Sequence, residues 1–120
     1  MPGPRPPVPL GEARLYLLAT TRASRLPLVV AVEAAIRGGV DVVQLREKDM
    51  DDEAMTRVGR SVGAVCRAHG VPFLVNDRIA VAKTLEADGV HLGQGDAPVA
   101  AARAELGAGR IVGVSTHDAA

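Results

Sequence analysis

Five short apolar runs, each separated from the next by one helix-like segment, restrict this chain to a sheet of parallel strands joined by crossover helices. The runs cover residues 14–20, 40–45, 71–75, 89–92 and 111–114. Residues 28–37 are rich in Ala and Val, carry Glu33 and Arg37 four apart, and meet Gly38-Gly39 as a helix end does. Asp51, Asp52 and Glu53 suit a helix N-terminus, and Met55, Val58, Val62, Val65 and Cys66 then repeat at helical spacing up to His69-Gly70. Residues 79–85 form a short third helix, and residues 98–106 a fourth, with Pro98 in its first turn and Gly107 after its end. Strands this uniformly apolar are covered by helices, either on both faces of an open sheet or around a barrel. Pattern alone favours a doubly wound five-stranded sheet, because a complete (β/α)8 barrel takes about 250 residues. No Gly-x-Gly-x-x-Gly or Walker loop supports a nucleotide-binding version of that sheet.

Composition narrows the partners. The chain has 120 residues, 48% of them hydrophobic, which suits one globular domain. Tyr16 and Phe73 are the only aromatic residues, so the core must be aliphatic. Fourteen basic and fourteen acidic residues give no net charge and no general attraction to nucleic acid or membrane surfaces. Cys66 is the single cysteine. It precludes an intrachain disulfide, fits a reducing cytoplasm, and reads as a buried inert thiol rather than a nucleophile. Residues 1–12 are proline-rich, lack the apolar region of a signal peptide, and are expected to be a flexible tail ahead of one domain over 13–120. No apolar stretch reaches the length of a membrane span.

Three of the apolar runs stop on polar clusters. The second meets Gln44-Leu45-Arg46-Glu47-Lys48, the third Asn76-Asp77-Arg78, and the fourth Gly93-Gln94-Gly95-Asp96. In parallel α/β folds such clusters share the carboxyl edge, where ligands bind. Gln44, Arg46 and Lys48 alternate, so an extended backbone would point an amide, a guanidinium and an ammonium one way, a grip for phosphate or pyrophosphate. The alternative is an exposed strand end whose charges pair with Glu47, Asp49 and Asp51. Asp77 and Asp96 each follow a strand, and neighbouring strands lie about 4.8 Å apart. Two such carboxylates can share Mg²⁺, which takes one or two carboxylates plus water and phosphate oxygens. The alternatives are an N-cap role for Asp77 and a turn or cap role for Asp96. His91 lies mid-strand, either as a satisfied structural histidine or as a group facing a barrel interior. Ser115, Thr116 and His117 follow the fifth strand, where hydroxyls and backbone N–H groups can meet a further phosphate oxygen.

Taken in order, these clusters resemble the thiamine phosphate synthases and their relatives, the thiazole tautomerases. The matching segments are residues 39–48, 75–78, 87–96 and 111–117, so the likeness covers everything beyond the tail. The resemblance implies a (β/α)8 TIM barrel in place of the doubly wound sheet, with about five β/α units present here. It implies transfer of hydroxymethylpyrimidine from its pyrophosphate to hydroxyethylthiazole phosphate, giving thiamine phosphate and pyrophosphate. By the same resemblance Gln44, Arg46, Lys48 and Asn76 hold the pyrophosphate, Asp77 and Asp96 hold Mg²⁺, Ser115 contacts the pyrophosphate, and His91 lines the pyrimidine pocket. Arg46, Lys48 and Ser115 would act on the reacting groups, and the serine favours the synthase branch. Strands six to eight, with their lysine and glycine-rich phosphate loops, are expected to be missing, as in an N-terminal part truncated by a sequence break or frameshift. The other readings are a tautomerase-like relative and a non-catalytic half-barrel that pairs with itself or a partner through open edges.

Overall fold

The computed structural model describes residues 15–21, 27–93, 99–107 and 109–114; the expected tail lies outside them. Its elements run β1 (Tyr16–Ala19), α1 (Leu28–Arg37), β2 (Val42–Leu45), α2 (Asp52–His69), β3 (Phe73–Asn76), α3 (Ile79–Leu85), β4 (Gly89–Leu92), α4 (Val99–Leu106) and β5 (Ile111–Val114). The local chemistry explains the boundaries. The Asp51 carboxylate accepts from the Ala54 N–H at 2.8 Å, satisfying one of the orphan donors at the start of α2, with Asp52 and Glu53 in the first turn. Glu33 and Arg37 of α1 pair at 3.3 Å, one turn apart.

All five strands are parallel and stand in the order β1-β2-β3-β4-β5. Each helix packs on its successor. Their buried residues, Val32 and Ile36, Met55 and Val62, Val81, and Ala102, join one core with Val43, Leu45, Phe73, Val75, Val90 and Leu92 of the sheet. That arrangement separates the two architectures open at the sequence level. A doubly wound sheet reverses its strand order at a switch point and covers both faces with helices. Here the order never reverses and one face carries every described helix, which is the geometry of a barrel wall.

Side chains alternate across the strands, so the register fixes the helix-free face: Tyr16 and Leu18, Val42 and Gln44, Leu74 and Asn76, His91. Val42 and Leu74 are fully buried there, whereas Tyr16 and Leu18 on the edge strand β1 are each 45% exposed. The amino edge is tied by two aspartates. Asp41 accepts from the Leu15 N–H at 3.3 Å, and Asp88 from the Phe73 N–H at 2.7 Å. Each anchors the start of the neighbouring strand, so these carboxylates serve the scaffold. Cys66 is fully buried, and its thiol is pushed up to about 12 by that burial, with Asp88 adding to the rise. The thiol therefore stays protonated and inert, as its place in the periodic pattern suggests. Among the described residues no helix is long and apolar enough to cross a membrane.

Candidate functional site

The helix-free face carries a hydrogen-bonded line across three strands, from Asn76 at the carboxyl end of β3 to Tyr16 at the start of β1. Asn76 Nδ2 donates to Gln44 Oε1 at 2.8 Å, and Gln44 Nε2 donates to the Tyr16 hydroxyl oxygen at 2.9 Å. Gln44 is only 4% exposed, and an amide this buried needs both partners. Burial raises the Tyr16 phenol above its ordinary value, opposed by the Gln44 bond, so it remains a neutral donor and acceptor. The line uses both ends of the Gln44 amide and so fixes Asn76 and Tyr16 on this face. Tyr16 is a member that sequence reasoning missed, since nothing local marks a tyrosine on β1 as the partner of an amide 28 residues on.

Arg46 follows at the end of β2. Its N–H donates to Ala19 O at 2.9 Å, which carries the parallel ladder one residue past the strand. Among the described residues, the guanidinium Nε is buried and finds no hydrogen-bond partner. A buried guanidinium donor without an acceptor is costly, and an anion would satisfy it. Glu47 points elsewhere: it is 5% exposed and accepts from both the N–H and the hydroxyl of Thr21, tying the end of β2 to the chain after β1. The alternation ends there. Residues 48–50 form a bend in which Lys48 is exposed, so loop geometry rather than strand period sets where Lys48 stands.

Asp77 has a positive φ of 68°. The Arg78 N–H donates to Asn76 O at 2.8 Å, closing a three-residue turn around Asp77, while the Asp77 N–H reaches His91 O at 2.8 Å. An i to i+2 bond with positive φ belongs to the rare, strained hand of γ-turn. The N-cap position of α3 falls to Arg78, which makes no side-chain cap bond, and Asp77 stands one residue before it. The fold thus holds an aspartate in an unfavourable conformation at the carboxyl edge, one residue before the helix cap.

His91 pairs in register with Asn76 on one side and Gly113 on the other, on the helix-free face, between the buried Val90 and Leu92. A Cβ on Gly113 would lie 2.8 Å from His91 Nδ1, so glycine there makes room for the imidazole. Asp96, Ser115, Thr116 and His117 lie outside the described residues. The structure therefore brings together Gln44, Asn76 and His91 on one face, with Arg46 and Asp77 at the same edge. A cleft of about 470 Å³ between α2 and α3, lined by Arg60, Arg67, Glu86 and Asp88 among others, opens at the opposite, amino edge.

Sequential parallel strands under a single helix layer, with ligand-type groups at their carboxyl ends, define a protein of the (β/α)-barrel class. The particular family follows from comparison. The chain belongs to the TMP-TENI family, thiamine monophosphate synthase, whose pattern matches residues 15–120. It is 44% identical to the thiamine-phosphate synthase of Roseiflexus castenholzii over 91% of this chain and 48% of that protein. It is 45% identical to the Streptomyces avermitilis enzyme of the same name, over 90% of this chain and 50% of that one. Among solved structures, thiamine phosphate pyrophosphorylase from Pyrococcus furiosus superposes with a TM-score of 0.79 at 32% identity, covering 88% of this chain and 50% of that one. The chain spans about half the length of these relatives.

Proposed function

We propose that this chain forms the pyrimidine-pyrophosphate side of a thiamine phosphate synthase. The observation that carries the reading is the buried Nε of Arg46, without a partner among the described residues, at the end of the strand that carries the Gln44 amide. In the reaction, the bond between the pyrimidine methylene carbon and the pyrophosphate oxygen breaks, and the thiazole nitrogen bonds to that carbon. Negative charge grows on the departing pyrophosphate, so fixed donors there act where charge develops. Arg46 would offer Nε–H to one pyrophosphate oxygen, Lys48 an ammonium to another, and Asn76 its place beside them; Ser115 would add a hydroxyl. Gln44 would keep its amide plane fixed through Tyr16, and His91 would line the pyrimidine pocket opposite Gly113.

The donor set also fits Mg²⁺. Among the described residues no three of His, Cys, Asp or Glu converge into a cage. Mg²⁺ takes few protein ligands and keeps water and phosphate oxygens, so the Asp77 carboxylate with Asp96 would suffice. Bound there, the ion would neutralise pyrophosphate oxygens as the leaving charge forms. Relatives named as synthases, rather than tautomerases, support the synthase branch. A cytoplasmic setting suits the single buried thiol.

The test is calorimetric titration of hydroxymethylpyrimidine pyrophosphate with Mg²⁺ into the chain and into its Arg46→Gln variant. Losing a charged donor from a desolvated anion site should weaken binding on the order of tenfold. Equal affinity in the variant, or no binding by the parent chain, contradicts the reading.

A further inference from the structure

Arg78 is not among the candidate ligand groups, yet its guanidinium makes three side-chain bonds at this edge. One guanidinium nitrogen meets Asp52 Oδ1 at 2.8 Å. The other donates to Glu47 O at 3.1 Å and Met50 O at 2.5 Å. These acceptors span the whole β2–α2 loop: Glu47 at its start, Met50 just before the Asp51 cap, and Asp52 in the first turn of α2. The Arg78 side chain is 23% exposed, against 62% for Asp52, so the fork works from the protected side of the loop. A planar guanidinium with several fixed donors is well suited to join one carboxylate and two carbonyls in this way. Arg78 also follows Asp77 directly, and its own N–H closes the turn that sets Asp77 at the edge. The Asp77–Arg78 pair thus fixes a carboxylate after β3 and, at the same time, the loop after β2 that carries Lys48.

We propose that Arg78 is a positioning residue: its guanidinium holds the β2–α2 loop so that Lys48 stands in register with Asp77 for a pyrophosphate bound with Mg²⁺. This rests on the function proposed above, and the test separates the two. The full chain and its Arg78→Gln, Arg78→Lys, Lys48→Ala and Arg78→Gln/Lys48→Ala variants are compared by amide exchange over residues 47–51 and by titration with inorganic pyrophosphate plus Mg²⁺.

Arg78→Gln should speed exchange across 47–51 about tenfold and weaken pyrophosphate binding about fivefold. Lys48→Ala should weaken binding in the parent chain but add almost nothing in the Arg78→Gln background. That non-additivity marks positioning, because a general loss of stability would leave the Lys48 effect intact. Lysine at 78 keeps the charge and some donors, and should restore part of both readouts should the glutamine variant fold poorly. Unchanged exchange in Arg78→Gln, or full additivity with Lys48→Ala, overturns the proposal. Faster exchange combined with no pyrophosphate binding by the parent chain removes the proposed function, and the positioning role with it, while identifying Arg78 as a loop clamp alone.

Discussion

Asp77→Asn should abolish most Mg²⁺-dependent pyrophosphate binding, on the order of a 100-fold loss in affinity, while leaving the fold stable to within about 0.5 kcal/mol. The argument starts from the backbone. Asp77 occupies a positive φ that costs most side chains about 1–2 kcal/mol, and asparagine tolerates it at least as well as aspartate. The substitution keeps the three-residue turn, the bond from the residue-77 N–H to His91 O, and one side-chain acceptor oxygen. It removes the charge that a hard cation requires. Thermal unfolding and a Mg²⁺-pyrophosphate titration on the same preparation read the two effects apart. If Asp77 served the scaffold alone, the variant would bind Mg²⁺-pyrophosphate as the parent does.

Gly89→Ala should have the largest effect on folding. The glycine opens β4 opposite Ile111 of β5, and a Cβ there would lie 2.1 Å from the Ile111 carbonyl oxygen and 2.7 Å from its carbonyl carbon. Those are backbone atoms of a hydrogen-bonded neighbour, since the Ile111 N–H donates to Asp88 O at 2.8 Å. No rotamer change can relieve the clash, so β5 must move and the β4–β5 ladder must distort. The expected cost is about 3 kcal/mol or more, a fall in Tm of roughly 10–20 °C for a domain of this size. Gly109→Ala is the control, because nothing lies within 4 Å of its added Cβ. Similar Tm values for the two variants would contradict the packing described for β4 and β5.

Much of this architecture is legible in the sequence, because periodicity and punctuation act locally. The helix expected over 28–37 forms as α1, and that over 79–85 as α3, since apolar spacing and the following Gly38 or Glu86 set their limits within a few residues. The β2 and β3 strands are shorter at their starts than the apolar runs suggest. Val40 bonds back to Ala35 O and Val71 to Cys66 O, closing the preceding helices before the ladders begin. Strand order is different in kind. The same alternation serves a doubly wound sheet and a barrel wall, so local pattern favoured the wrong architecture, and the ordered polar segments were needed to correct it.

The site divides along the same line. Gln44, Arg46, Asn76, Asp77 and His91 are visible as polar interruptions at strand ends or on a strand. Tyr16 is not, and the roles of Glu47 and Arg78 within those clusters are not, because their meaning lies in partners 26 to 31 residues away that only the sheet brings near. Pairing of the cluster's charges with Glu47 is one of the two readings open in the sequence; in the structure Glu47 ties β2 to Thr21. Lys48 was grouped with Gln44 and Arg46 by strand alternation, but the strand ends at Leu45 and a bend determines its position.

The central claim is that the carboxyl-edge groups of β2 and β3 form an anion and Mg²⁺ grip. Amide chemical-shift mapping of the isotopically labelled chain, titrated with pyrophosphate and Mg²⁺, tests it most directly. The account predicts that the largest shifts fall on residues 44–48 and 76–78, with Arg60, Arg67 and Glu86 around the amino-edge cleft unmoved. Shifts centred on that cleft, with residues 44–48 and 76–78 unaffected, would contradict it.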